Sequence, residues 1–250
     1  MVLETGFPYY GQQIGVLVFS TSTPRIPGDA GHAASFSYPV RYEVVKGGFA
    51  DLLDYNDLVK ENILEGCRHL KRAGIKGILG DCGMMSLYQD CIGAEVGLPF
   101  VGSSLCQIPM VWQMIGRSGT IGILTGHSEL LSEKHLLASG WSKEIPLSIQ
   151  GLQNEPHFHE IVIEGGKNLN VEKMNWDVLH AAGLLKEKTR DLRAVIVECS
   201  NLATYARGIF NICQVPVFDT MSAANLLAYA VHPTIYDMED YCEQIRSVYE

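Results

Sequence analysis

The register of two short stretches constrains the fold of this chain more than any other feature. Ile78-Leu79-Gly80-Asp81-Cys82 is an apolar run ending in an acid and a cysteine, and Val195-Ile196-Val197-Glu198-Cys199 repeats it. The cysteines are 117 positions apart (199 − 82), and the same offset links Tyr88 to Tyr205 (205 − 88) and Pro99 to Pro216 (216 − 99). Around the prolines, Gly97-Leu98-Pro99-Phe100-Val101 matches Gln214-Val215-Pro216-Val217-Phe218 in character. An ungapped register over this span points to a duplicated unit. Two such units facing each other would bring two thiols to one cleft.

Read in order, the chain alternates strands and helices. Ile14 to Phe19 is an apolar run closed by Ser20-Thr21-Ser22-Thr23-Pro24, the pattern of a buried parallel strand. The Pro-, Gly- and Ser-rich stretch from Pro24 to Pro39, with Arg25, Asp29 and His32, reads as a long loop on the ligand side of a sheet, a candidate lid. Residues 40–50 carry no assigned element. Helices are expected over 51–73, 84–95 and 105–115, with strands over 75–80 and 99–101. Gly119 to Gly126 restarts the pattern, since Ile121-Gly122-Ile123-Leu124 echoes Ile14-Gly15-Val16-Leu17 at an offset of 107 (121 − 14). Ser128 is the expected N-cap of a helix over 129–139 that Gly140 stops. A strand over 144–152, a polar loop over 153–160 and a helix over 171–188 follow. Then come a strand over 194–197, a helix over 201–210, a strand over 215–218 and a helix over 221–231. A last amphipathic helix spans 238–249. The fold class is therefore α/β, with two pseudo-symmetric parallel-sheet halves and the active site in the cleft between them. The first half is 1–118 and the second 119–250, with 220–250 able to pack back onto the first.

Composition narrows the function. Hydrophobic residues make up 47% of the 250 and charged residues 19%, enough apolar mass for a real core and too much for disorder. A formal net charge of −9 argues against nucleic acid and anionic membrane as partners. Seven cysteines with no Cys-x-x-Cys pair indicate a reducing compartment rather than a disulfide framework, and neither a zinc ribbon nor a thioredoxin-type centre. No signal peptide is read over Met1–Gln13, and no apolar run reaches bilayer length. A cytoplasmic protein is expected.

A thiol and a thiolate on opposite sides of a bound carbon can remove a proton from one face and return one to the other, since free cysteine titrates at roughly 8.5. A helix starting just after each cysteine would favour the thiolate and offer N–H groups to a substrate carboxylate. Asp81 and Glu198 would raise the thiols if they point into the site.

With these motifs the chain resembles the aspartate/glutamate racemase superfamily, which includes amino-acid and hydantoin racemases, maleate isomerases and arylmalonate decarboxylases. The resemblance covers essentially the whole chain. It implies Cys82 and Cys199 as acid and base. It also implies substrate contacts from Gly83, Met84, Ser200 and Asn201 after the cysteines, and from Ser20, Thr21 and Thr125 after the first strand of each half. It implies a small carboxylate or amino-acid substrate, no cofactor, no metal and a homodimer. The leading expectation is a cofactor-independent racemase or epimerase. Asp81-Cys82-Gly83-Met84 stands where amino-acid racemases usually carry a small residue before the cysteine and Asn-Thr after it. A lyase, decarboxylase or cis-trans isomerase acting through a carbanion or thiol adduct is the alternative, and an algal branch resembles a lyase of dimethylsulfoniopropionate. A non-catalytic ligand-binding protein is the remaining reading.

Other residues have plainer readings. Cys67, Cys91, Cys106, Cys213 and Cys242 read as small core residues, so alkylation is expected first at Cys82 or Cys199. Tyr88, Tyr205, Trp112 and Trp176 are expected to pack. His157-Phe158-His159-Glu160 lacks a further ligand at metal-site spacing. His32 and His127 are read as solvated, and Glu164-Gly165-Gly166 matches no nucleotide fingerprint.

Overall fold

A computed structural model describes residues 10–235. The helix expected over 238–249 and Cys242 lie outside the described residues. Eight strands form two parallel sheets, each with its first strand second from the edge. β1 (Ile14–Phe19), β2 (Val40–Val45), β3 (Gly77–Gly80) and β4 (Phe100–Val101) are ordered β2-β1-β3-β4. β5 (Thr120–Thr125), β6 (Leu147–Gly151), β7 (Leu192–Val197) and β8 (Val217–Phe218) are ordered β6-β5-β7-β8.

The pseudo-symmetry of the two halves is visible in the strand pairing. Ile14 pairs with Val40 and Gly77, and Ile121 pairs with Leu147 and Ala194. The first two equivalences are offset by 107 (121 − 14, 147 − 40), the third by 117 (194 − 77). Beyond each cysteine the halves match residue for residue. A 3-10 turn covers Gly83–Tyr88 and another Ser200–Tyr205. α2 (Gln89–Val96) corresponds to α7 (Ala206–Cys213), and β4 to β8. Each of these helices ends on a left-handed residue, Gly97 at φ 64° and Gln214 at φ 58°.

α1 (Asp57–Arg72) starts later than its apolar period suggests, because Asn56 caps it by accepting from the N–H groups of Leu58 and Val59. α3 (Ile108–Met114) follows a 3-10 turn at Ser104–Gln107 and carries Pro109 in its first turn. α4 (Glu133–Ala138) is capped by Ser132 rather than Ser128, with His135 Nδ1 2.8 Å from the Ser132 hydroxyl. The expected polar loop at 153–160 is partly helical. α5 (Pro156–Phe158) continues in a wider turn to Ile163 because buried Asp177 accepts from the N–H groups of His157 and Phe158 at 2.7 and 2.8 Å. Asp177 belongs to α6 (Val171–Lys188). β2 is a strand within residues to which the sequence pattern assigned nothing. It sits at the sheet edge, and its Val-Arg-Tyr-Glu-Val-Val pattern is only half-buried.

The last helix of each half crosses over. α8 (Thr220–Val231) sets Ala223, Ala224 and Leu227 against Ile14, Val16 and Leu79 of the first sheet. In the first half, Leu105, Ile108 and Val111 share a core with Ile121, Ile123, Ala194 and Ile196 of the second sheet. The Ser104 hydroxyl there donates to the Val197 carbonyl at 2.7 Å. Burial of some 20–30 cal/mol per Å² of apolar surface makes these exchanged contacts a principal bond between the halves. Trp112 is half-buried against this core, whereas Trp176 is 62% exposed and stacks on His180 at 5.1 Å, so the expected packing fails there. Among the described residues no helix is long and apolar enough to cross a membrane.

Candidate active site

β3 and β7 end at equivalent points, and the residues that follow them face one cavity of about 550 Å³ between the two sheets. Cys82 and Cys199 both line it, as do Asp81, Glu198, Gly83, Met84, Ser200 and Asn201. Ser20 and Thr21, after β1, are on the same wall. Thr125 is not. It lies behind the wall, fully buried, and its hydroxyl donates to Glu198 Oε2 at 2.7 Å.

The cavity is also lined by residues that sequence reasoning missed. Phe19 and Phe49 contribute rings, and Leu130, Val162 and Ile163 contribute aliphatic surface. Phe49 sits in a 3-10 turn, Phe49–Leu52, which takes in the first two residues of the helix expected over 51–73, and Asp51 there accepts from the Gly48 N–H at 2.9 Å. His127, read from sequence as solvated, lines the cavity with a buried Nδ1 that has no hydrogen-bond partner. His32 caps the short turn Ala33–Ser35 by accepting from Ala34 N–H and is not on the cavity wall. His157 is buried and bonds Glu160 and the Asn170 N–H.

The long loop after β1 reaches across the cleft. Thr204 Oγ1 donates to the Pro27 carbonyl at 2.9 Å, which ties the loop to the turn after Cys199. From this loop Arg25 projects into the site. Its guanidinium meets Asp81 Oδ2 at 2.6 Å and Asp29 Oδ1 at 2.7 Å. Burial opposes its charge, yet the two carboxylates outweigh burial and hold it above its ordinary value. Burial raises Asp81 above the usual carboxylate range, with Arg25 pulling the other way.

The equivalent acid of the second half is treated differently. Glu198 is 3% exposed, and burial pushes it up to about 7 against the Thr125 hydroxyl and the Gly126 N–H. Its charge acts on both thiols. Burial first and Glu198 second raise Cys82 to about 12, with the Met84 N–H opposing. The same two influences, in the same order, hold Cys199 well above the ordinary thiol value, with the Asn201 N–H opposing. Each cysteine thus stands at the start of a turn whose second N–H faces its sulfur, but burial and Glu198 outweigh this help. Cys82, Cys91, Cys106 and Cys199 are all partly exposed, and at Cys91 Lys60 opposes the upward pull of burial on the thiol.

Two thiols and two unequal carboxylates on one cavity wall are groups of the kind that move protons to and from a bound carbon.

No family profile matches the sequence. The chain is 27% identical over 223 residues to dimethylsulfoniopropionate lyase 7 of Emiliania huxleyi (strain CCMP1516), covering 85% of this chain and 65% of that protein. It is 26% identical over 226 residues to dimethylsulfoniopropionate lyase 3 of the same strain, covering 85% and 58%. It is 25% identical over 221 residues to a dimethylsulfoniopropionate lyase of Durusdinium sp. clade D, covering 85% and 72%. The chain thus spans less than two thirds of the length of the two Emiliania huxleyi lyases. In structure it is similar to unliganded arylmalonate decarboxylase, with a TM-score of 0.59 at 15% identity over 90% of this chain and 94% of that one. It is also similar to glutamate racemase RacE1 from Bacillus anthracis, with a TM-score of 0.57 at 13% identity over 88% and 82%. Allantoin racemase from Klebsiella pneumoniae gives a TM-score of 0.56 at 18% identity over 88% and 86%. The chain has the fold of the aspartate/glutamate racemase superfamily, and its likenesses in sequence and structure are to enzymes with isomerase- and lyase-type chemistry.

Proposed function

We propose that this chain is a cofactor-independent lyase acting on dimethylsulfoniopropionate or a close relative. A cysteine thiolate takes the proton from the carbon next to the carboxylate. The C–H electron pair becomes the new double bond, and the C–S pair leaves with sulfur as neutral dimethyl sulfide. The products are acrylate, dimethyl sulfide and a proton that passes from the thiol to solvent. Cys82 is taken as the base in this reading; burial and Glu198 raise both thiols, so the two single variants decide which of them carries the proton. Cys199 stays protonated and donates to the oxygen that gains charge as the proton leaves. The hydroxyls of Ser20 and Thr21 and the Asn201 amide hold the substrate carboxylate.

The observation that supports this most is the likeness to dimethylsulfoniopropionate lyases over 85% of the chain, on a cavity that carries both thiols. The substrate also brings a positive charge to a cavity whose Arg25 is paired with Asp81. Its sulfonium charge beside the thiols would draw their ionisation toward neutral pH. Racemisation is the second reading, favoured by the pairing of two cysteines at equivalent positions of the repeat and by the fold of the glutamate and allantoin racemases.

The test is incubation of the purified chain with dimethylsulfoniopropionate, with headspace dimethyl sulfide and acrylate measured together, beside the Cys82→Ala and Cys199→Ala variants. Equal release of both products, lost in each variant, supports the lyase. No release, together with deuterium uptake from heavy water at the stereocentre of an amino acid without mass loss, would turn the assignment to a racemase.

A further inference from the structure

The two acids that precede the cysteines occupy equivalent places in the repeat, yet only one has a cation. Asp81 is bound by Arg25, which Asp29 also engages. Glu198 has a hydroxyl and an amide, and among the described residues no cation is paired with it. Its carboxylate also reaches across the cleft. A β-carbon at Gly83, on the opposite half, would stand 1.9 Å from Glu198 Oε1. The carboxylate is therefore packed onto the backbone beside Cys82 while rising from the strand that carries Cys199. Its charge acts on both sulfurs. Among the described residues lining the cavity, Arg25 has the one permanent positive charge, and it is already committed. The wall thus carries an acidic surplus next to the reacting carbon, with the Phe19 and Phe49 rings on the same cavity.

A buried carboxylate with no cation is costly to keep ionised, and a ligand that supplies the cation relieves it. Aromatic faces add attraction for weakly hydrated onium groups. We infer that Glu198 is a specificity-determining residue that selects substrates carrying a fixed positive headgroup, a sulfonium or quaternary ammonium, and rejects uncharged or anionic ones of the same shape. The inference rests on the lyase reading for the sulfonium as the natural headgroup; the charge selection itself rests on the geometry. The carboxylate end of such a zwitterion is repelled from Glu198, which orients the molecule with its leaving group toward the acid and its acidic C–H between the thiols.

The test uses two isosteres, trimethylammoniopropanoate, whose trimethylamine release is monitored alongside, and the compound in which a quaternary carbon replaces its nitrogen. Their affinities for the full chain are measured by titration calorimetry at mildly alkaline pH. The wild-type protein should prefer the charged isostere by about tenfold or more. Glu198→Gln should reduce the ratio to near unity by weakening the charged ligand alone, and Glu198→Asp should keep most of the preference. Equal wild-type affinities would overturn the inference even if Glu198→Gln does not fold, and so would a preference that survives in Glu198→Gln. A wild-type preference abolished in Glu198→Gln, with no release of dimethyl sulfide from dimethylsulfoniopropionate, would support the charge selection and overturn the lyase assignment.

Discussion

Gly83 and Glu198 touch across the cleft so closely that no side chain fits at position 83: a β-carbon there would lie 1.9 Å from Oε1 and 2.3 Å from Cδ of the acid. Glu198 cannot simply retreat, because Thr125 holds its other oxygen. The same β-carbon would stand 2.5 Å from the Glu198 carbonyl oxygen, so Gly83→Ala must part the two backbones as well as move the carboxylate. It should lower kcat/KM by about 10²-fold or more and also lower the melting temperature, checked by steady-state kinetics and thermal melts.

Removing either cleft cysteine should affect turnover far more than binding. Cys82→Ala and Cys199→Ala are each expected to lower kcat by about 10²–10⁴-fold, the range for loss of a positioned proton-transfer group. Cys91→Ala should leave turnover unchanged. Mass-spectrometric mapping after brief iodoacetamide treatment should find Cys91 labelled ahead of the other five described cysteines in the ligand-free protein, since its thiol is raised by burial and pulled back by Lys60.

Arg25 neutralises Asp81 at a place where Asp81 is 3% exposed. Arg25→Ala leaves that carboxylate buried without its cation and should destabilise the protein by about 3–5 kcal/mol at alkaline pH. Without Arg25 the pKa of Asp81 climbs further. The penalty therefore belongs to the pH range where Asp81 would be ionised, and it shrinks as acid protonates it. Denaturant melts of the variant and wild type at acid and alkaline pH would show the gap narrowing toward acid. A pH-independent gap would contradict this account.

Glu198 should make the protein less stable as pH rises. Its folded pKa of about 7 lies above the ordinary 4.5. Its contribution is therefore fully present below about pH 4.5 and is lost as pH climbs through about 7. Glu198→Gln should then melt at a higher temperature than wild type near pH 8, by an amount equivalent to up to roughly 3 kcal/mol. The difference should vanish toward pH 4.5. The other ionisable groups on the same cavity, Arg25, Asp81, Cys82, His127 and Cys199, are common to both proteins. A group of the candidate site that weakens the fold would fit the familiar trade of stability for function.

How much of this was legible from sequence depended on which physical signal carried it. The 117-residue offset between Cys82 and Cys199 is a covalent fact, and the pairing of Ile78 with Phe100 and of Val195 with Val217 follows the same offset (195 − 78, 217 − 100). β2 escaped because an edge strand buries one face poorly, so Arg41 and Glu43 blur its alternation. Trp176 sits at a helical position but its ring turns outward onto His180. Arg25 could be flagged only as a charge in a loop, because its engagement with Asp81 spans 56 positions (81 − 25) and no local pattern encodes it. The contrast between Asp81 and Glu198 was invisible for the same reason. Both precede a cysteine, and only the folded loop gives a guanidinium to one of them.

The exchanged helices have an implication for ancestry. A solitary copy of the repeat would leave the sheet face now covered by Ala223, Ala224 and Leu227 open to water. Were the two halves descended from one unit, that unit would have needed a twin to lend it the helix, and the cleft with its two thiols would have lain at a subunit boundary. Cutting today's chain between β4 and β5 should accordingly yield two pieces that aggregate apart and reassemble when mixed.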